Sequence, residues 1–180
     1  DRHPKGTSCM RGMLDSAGGW CAQHRRAGEW YQMDAGEEKT IAGVVTQARH
    51  DALHQMVTQY KVLVSIEAEG PFEYVDDAFV FEGNTARTDG KVQAIFAKPV
   101  VARYVRIEVV AWEHHPSLRA GLLELHAEGE DAQATKRNVE LNPNENHRFA
   151  SSVYNNDPKG TGHNMGMLDS NGGWCAAYKH

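Results

Sequence analysis

The chain has 180 residues, a net charge of −5 and 41% hydrophobic residues. That is enough for one cored domain with some chain to spare. The negative balance excludes general attraction to nucleic acid or an anionic lipid surface. No run of about 18 apolar residues is present to form a membrane-spanning helix.

Residues 1–11 are polar and rich in turn formers. Gly28 to Asp34 alternates in the strand manner, and Lys39 to Gln47 is β-branched enough to predict a second strand. Ala48 to Thr58 is polar, with Leu53 and Met56 as isolated apolar residues, and reads as a loop. Gln59 to Glu67 gives the clearest alternation. Tyr60, Val62, Val64 and Ile66 form the expected core face, joined by Ile107 and Leu123, and Arg106 or Arg119 is expected to pair with an acid. Gly70-Pro71 turns the chain, and Phe72 to Phe81 holds one or two short strands. Glu82 to Gly90 is a loop. Lys91 to Ala97 and Arg103 to Ala111 are strands joined through Pro99. Trp112 to Ser117 is a loop, and Arg119 to Ala127 is a strand. Short strands, many turns and no amphipathic helix predict an all-β antiparallel sandwich or barrel. Glu128 to Asn138 is charged and reads as a linker. Beyond it, Asn142-Pro143-Asn144 is a turn and Phe149 to Tyr154 a short strand.

Part of the sequence occurs twice. Gly12-Met13-Leu14-Asp15-Ser16-Ala17-Gly18-Gly19-Trp20-Cys21-Ala22 returns 154 residues later as Gly166-Met167-Leu168-Asp169-Ser170-Asn171-Gly172-Gly173-Trp174-Cys175-Ala176. Pro4-Lys5-Gly6-Thr7 returns at the same offset as Pro158-Lys159-Gly160-Thr161. That period is the size of a domain, so the chain reads as one repeat and the start of another. Of the three cysteines, Cys21 and Cys175 are one position in successive copies, and Cys21 reads as a small buried thiol beside Trp20.

No catalytic motif emerges. There is no His-Glu-x-x-His, no Cys-x-x-Cys and no Gly-x-Ser-x-Gly. His114-His115 reads as a solvated loop, because adjacent extended side chains diverge. Asp76-Asp77 reads as a turn. The expectation is a protein that is not an enzyme.

Trp30-Tyr31-Gln32-Met33-Asp34, Ile41-Ala42-Gly43-Val44-Val45-Thr46-Gln47 and Val57-Thr58-Gln59-Tyr60-Lys61-Val62 follow one another in order. Val80-Phe81-Glu82-Gly83-Asn84, Arg103-Tyr104-Val105-Arg106-Ile107, Ala111-Trp112 and Leu118-Arg119-Ala120-Gly121-Leu122-Leu123-Glu124-Leu125 complete the series. The set resembles the factor V/VIII type C, or discoidin, domain family. The resemblance implies a discoidin-like antiparallel β-sandwich, a distorted jelly roll with loop spikes at one end that bind phospholipid head groups, glycans, collagen or proteins. The spikes would be residues 155–165 with their partial copy 1–11, then 48–57, and 82–90. It divides the chain into a domain over 1–127 lacking its first strand, a linker over 128–138, and the start of the next repeat over 139–180.

The candidate ligand-binding residues are Arg49, His50, Asp51, Leu53, His54, Met56, Asn84, Arg87 and Asp89. These tips are polar, so the expected partner is a glycan or protein surface and membrane insertion is not expected. Trp20, Trp30 and Trp112 fall on framework segments. By the same resemblance, Asp15 and Glu124 are candidates to hold a structural calcium ion through hard oxygen ligands. Their alternative roles are a turn cap for Asp15 and an ion pair for Glu124. His126 and Ala127 stand where many members have the second cysteine of a terminal disulfide. An extracellular or cell-surface location is the family expectation. The alternative function is a structural repeat that contacts neighbouring copies and assembles end to end into a filament or coat. The segment 139–154 is expected to pair with a sandwich. The duplication favours pairing in an array, since both copies of the glycine-tryptophan stretch compete for one place.

Overall fold

A computed structural model describes Cys9, residues 12–128 and residues 135–154. Among the described residues nine strands form: β1 (Trp20–Cys21), β2 (Trp30–Gln47), β3 (Met56–Ser65), β4 (Glu73–Tyr74), β5 (Phe81–Glu82), β6 (Val92–Glu113), β7 (Ser117–Glu128), β8 (Thr135–Leu141) and β9 (Arg148–Ala150). The only helical pieces among the described residues are 3-10 turns, at His50–Ala52, Val75–Ala78 and Glu145–His147. All the strand pairs are antiparallel.

Two long strands supply both layers of the sandwich. The first part of β2 pairs with β9 on one side (Gln32↔Phe149) and with the last part of β6 on the other (Tyr31↔Ile107). β6 passes the layer on to β3 through Val62↔Ile107. After a register shift between Asp34 and Lys39, the second part of β2 pairs with the first part of β6 and with β7. The far edge of β7 is covered by β1 and β8. A second irregularity falls between Ile41 and Gly43. There a Cβ on Gly43 would stand 2.2 Å from the Ala94 carbonyl oxygen, so the close backbone approach requires glycine.

The two inner faces meet around Trp20, Tyr31, Met33, Ile41, Tyr60, Val62, Ile107 and Leu122. Leu14, Val45 and Leu123 make a second, smaller cluster. Tyr60, Val62, Ile107 and Leu123 are buried as expected, and a fully buried valine such as Val62 contributes about 1.5–3 kcal/mol through lost contact with water. Val64 is half-buried against the main cluster. Ile66 departs from expectation, at 56% exposed. The strand ends at Ser65, and the face argument ends with it.

The segment after β7 differs from the expected linker. Residues 135–138 belong to β8, which pairs with β7 from Glu128↔Thr135 to Leu122↔Leu141. Lys136, Arg137 and Asn138 are exposed, and charge on an edge strand blocks further strand addition. β9 then closes the sandwich against β2 of the same chain. The duplication favoured an array, but in this chain the tail folds back. Met13 to Ala22 is already seated beside β7, and the tail docks against it.

The docking seam is densely hydrogen-bonded. The Met13 amide donates to Glu145 Oε1 (3.1 Å), and Leu14 exchanges two bonds with the Asn142 side chain (3.1 and 3.2 Å). Trp20 Nε1 donates to the Ser152 carbonyl at 2.9 Å. Arg148 is buried. Its guanidinium donates to the carbonyls of Pro143 (2.8 Å), Gly12 (3.1 Å) and Ala120 (2.7 Å), to Tyr31 Oη (3.2 Å) and to Asn142 Oδ1 (2.8 Å).

Candidate functional site

The loops at one end of the sandwich are held from below by two buried polar side chains at a matched register, Gln47↔Arg119. Arg119 donates to the Ala48 carbonyl (2.8 Å), to the Ser16 carbonyl (3.1 Å) and to Asp89 Oδ1. Gln47 Nε2 donates to the Asp89 carbonyl at 2.8 Å and to Asp15 Oδ1 at 3.1 Å, and its Oε1 accepts from the Asp15 amide at 2.8 Å. Two residues thus fix the glycine-tryptophan turn and the second and third spikes. Arg119 is the arginine expected to meet an acid. Burial works against the Asp89 carboxylate, but the bonds from Arg119 and His50 outweigh it and lower its pKa.

The second spike, from Ala48 to Gln55, is cross-braced. Arg49 donates to Asp51 (2.6 Å) and Gln55 (2.9 Å), and the His50 amide donates to the Gly18 carbonyl at 2.9 Å. In the third spike, Arg87 donates to Glu113 at 2.5 Å and lowers that carboxylate's pKa. His50 meets Asp89 at 3.3 Å, which links the two spikes.

Between them opens a cleft of about 470 Å3, lined by His50, Asp51, Ala52, Leu53, His54, Arg87 and His114. The His54 and His114 rings meet edge to face, with centroids 5.0 Å apart. Five of the nine residues named from sequence therefore face one space. Arg49 and Asp89 stand behind it as braces. Met56 and Asn84 are corrections. Met56 is the first residue of β3 and fully buried, so its side chain belongs to the framework and not to the cleft. Asn84 is buried and donates to the Gly90 carbonyl at 3.1 Å, closing its own loop. The first spike lies outside the described residues except for Cys9.

From sequence, His114 and His115 read together as a solvated loop; His114 is exposed as expected, but it was not named as a binding residue. The register Met56↔Glu113 places the turn after β6 beside the second spike, and no local pattern reveals that long-range pairing. Its neighbour His115 points the other way, buried, with Nδ1 3.2 Å from Ser117 Oγ. Burial and nearby arginine charge lower the His115 pKa.

Asp15 and Glu124 do not share a site. Leu14 packs with Leu123 on one face of the sheet, and Glu124, the next residue along β7, projects to the other. Asp15 pairs with Lys91 at 2.8 Å, and Glu124 pairs with Lys39 at 3.1 Å and lies 3.3 Å from His126 Nε2. A single calcium ion needs six to eight converging oxygens, which these two carboxylates do not supply by themselves. No cluster of three or more His, Cys, Asp or Glu side chains suited to a metal occurs among the described residues.

The F5/8 type C domain model matches residues 6–122. The chain belongs to that family. Lactadherin of Mus musculus is 38% identical over 118 residues, covering 62% of this chain and 25% of that protein. Retinoschisin of Mus musculus is 30% identical over 109 residues, covering 58% of this chain and 48% of that protein. The chain thus matches a quarter to about half the length of these relatives. Discoidin II of Dictyostelium discoideum superposes with a TM-score of 0.55 at 22% identity, over 66% of this chain and 46% of that one, and shares the fold.

Proposed function

We propose that this domain is a non-catalytic binding and adhesion module that recognises a glycan or protein surface through the cleft between its second and third spikes. The supporting observation is the convergence of His50, His54, His114 and Arg87 on one open space held by buried anchors. Imidazole and guanidinium groups donate hydrogen bonds to hydroxyl and carbonyl oxygens, and their flat faces stack on sugar rings or aromatic side chains. Leu53 is the one large apolar side chain in the lining, which suits a polar surface better than insertion into lipid. The same reading puts the module outside the cell or on its surface. Labelling of intact cells with an antibody to the domain checks that location.

Screening the 180-residue chain on a glycan array, then titrating any hit against His54→Ala and Arg87→Ala, tests the assignment. Each change should weaken binding by about tenfold, the worth of roughly one good hydrogen bond to a charged group. Binding unmoved by both changes places the ligand elsewhere. The 154-residue duplication supports a second reading, a structural repeat that contacts neighbouring copies. Sedimentation at increasing concentration separates the two, because an assembling repeat grows in mass and a binding module does not.

A further inference from the structure

Cys9 precedes Cys21 by twelve residues, one leading into the glycine-tryptophan turn and the other on β1. Cys9 is 4% exposed and Cys21 fully buried. Both stand as thiols, and the Cys9 side chain lies beside that of Cys21. Cys21 is fixed by its pairing with Ser117 and by a weak Sγ–H bond to the Gly19 carbonyl at 3.7 Å. Arg49 of the second spike is close by, its side chain 3.2 Å from the place of a Cβ on Gly19. The position equivalent to Cys9 in the second copy is His163, so the cysteine pair belongs to the first copy alone.

We propose that Cys9 and Cys21 form a disulfide that fastens the base of the first spike to the framework when the chain folds in the presence of a small-molecule disulfide. The Cys9 thiolate attacks one sulfur of that reagent. The reagent's S–S bond breaks, a mixed disulfide forms and one small thiolate leaves. The Cys21 thiolate then attacks the Cys9 sulfur, the mixed bond breaks and the second small thiolate leaves. The two cysteines give up two protons and two electrons, and the reagent takes them up as two thiols. In the folded chain, burial and the facing Cys9 thiol push the Cys21 pKa up, which makes its thiolate scarce. Closure therefore belongs to folding, while the two segments are still open to solvent. The finished bond would tie Cys9 to β1.

The test is refolding of the 180-residue chain from denaturant in a glutathione redox buffer, followed by alkylation of remaining thiols and tryptic mapping. Cleavage after Lys5, Arg11 and Arg25 puts Cys9 and Cys21 on different peptides, and Cys175 falls on a third. The expected result is a Cys9–Cys21 linked pair that reduction separates. Tm should fall by roughly 5–10 °C on reduction, the scale for closing a short loop. Cys9→Ser should abolish both the linked pair and the sensitivity to reductant. The same mapping on protein purified without reductant and never denatured gives an independent reading. Alkylation of both cysteines in the two preparations, or a link from Cys21 to Cys175, overturns the proposal.

Discussion

The seam where the tail docks and the cleft between the spikes are built from the same residue types and put them to opposite use. In the seam, Arg148 is buried and its donors meet carbonyls, a hydroxyl and an amide oxygen. In the cleft, Arg87 is largely exposed and holds one carboxylate at the rim. The adjacent pair His114 and His115 divides between the two, one ring in the cleft and the other buried against Tyr154 of the tail. Polar groups with all their bonds satisfied inside the protein hold it together. Those with bonding capacity left facing solvent are available to a ligand.

That contrast is most severely tested at Arg148. Arg148→Met removes the guanidinium from the Pro143, Ala120 and Gly12 carbonyls, the last of which keeps the Ala120 amide as a donor, and should cost about 3–5 kcal/mol in denaturant unfolding. A loss below about 1 kcal/mol would mean the tail contributes little to the fold. Val62→Ala, in the layer that the seam completes, should cost about 1–3 kcal/mol through lost burial and a residual cavity. Arg49→Ala should cost about 1 kcal/mol, since this side chain braces its own spike through Asp51 and Gln55.

The buried His115 gives a smaller, pH-dependent effect. Its folded pKa is lowered, so below about pH 6.5 the unfolded chain takes up a proton before the folded one does. Stability therefore falls as pH drops through that window, and His115→Gln should flatten a plot of Tm against pH between about 5 and 7. The depressed carboxylates Asp34 and Glu29 act lower, below about pH 4.5, where their stabilising bonds are lost on protonation. The smallest effect on stability is expected in the cleft. His54→Ala and Arg87→Ala should each move unfolding by within about 0.5 kcal/mol while weakening ligand binding. A larger shift would make them framework.

What was legible in the sequence was whatever depends on neighbours in the chain. The alternation around Tyr60 and Val62 marks a strand because period two is a local property. The spike loops were legible as polar breaks between such strands. Met56 was misplaced because an isolated methionine beside a polar loop looks the same whether it ends the loop or begins the strand. Thr135 to Asn138 was misread because a charged edge strand has the composition of a linker. Arg148 gave no local signal, and His114 was legible only as part of a solvated loop. Their roles depend on which distant segments lie beside them, through β9 with β2 and β3 with β6. The fold-back of the tail was one of two arrangements open from the duplication. A short connection from β7 to β8 raises the tail's effective concentration at its own domain and favours it.

The seam also bears on how fast this protein folds. Six of its hydrogen bonds join residues 117 to 136 positions apart along the chain. Contacts of that span raise the relative contact order, and the loop-closure entropy for each is met before the contact returns anything. The β7–β8 hairpin spans far less chain, the β3–β6 pairing spans an intermediate length, and both can form first. Arg148, the residue expected to hold the native state most strongly, would then act late on the folding path. Its substitution should accelerate unfolding and leave the folding limb of the chevron nearly unchanged.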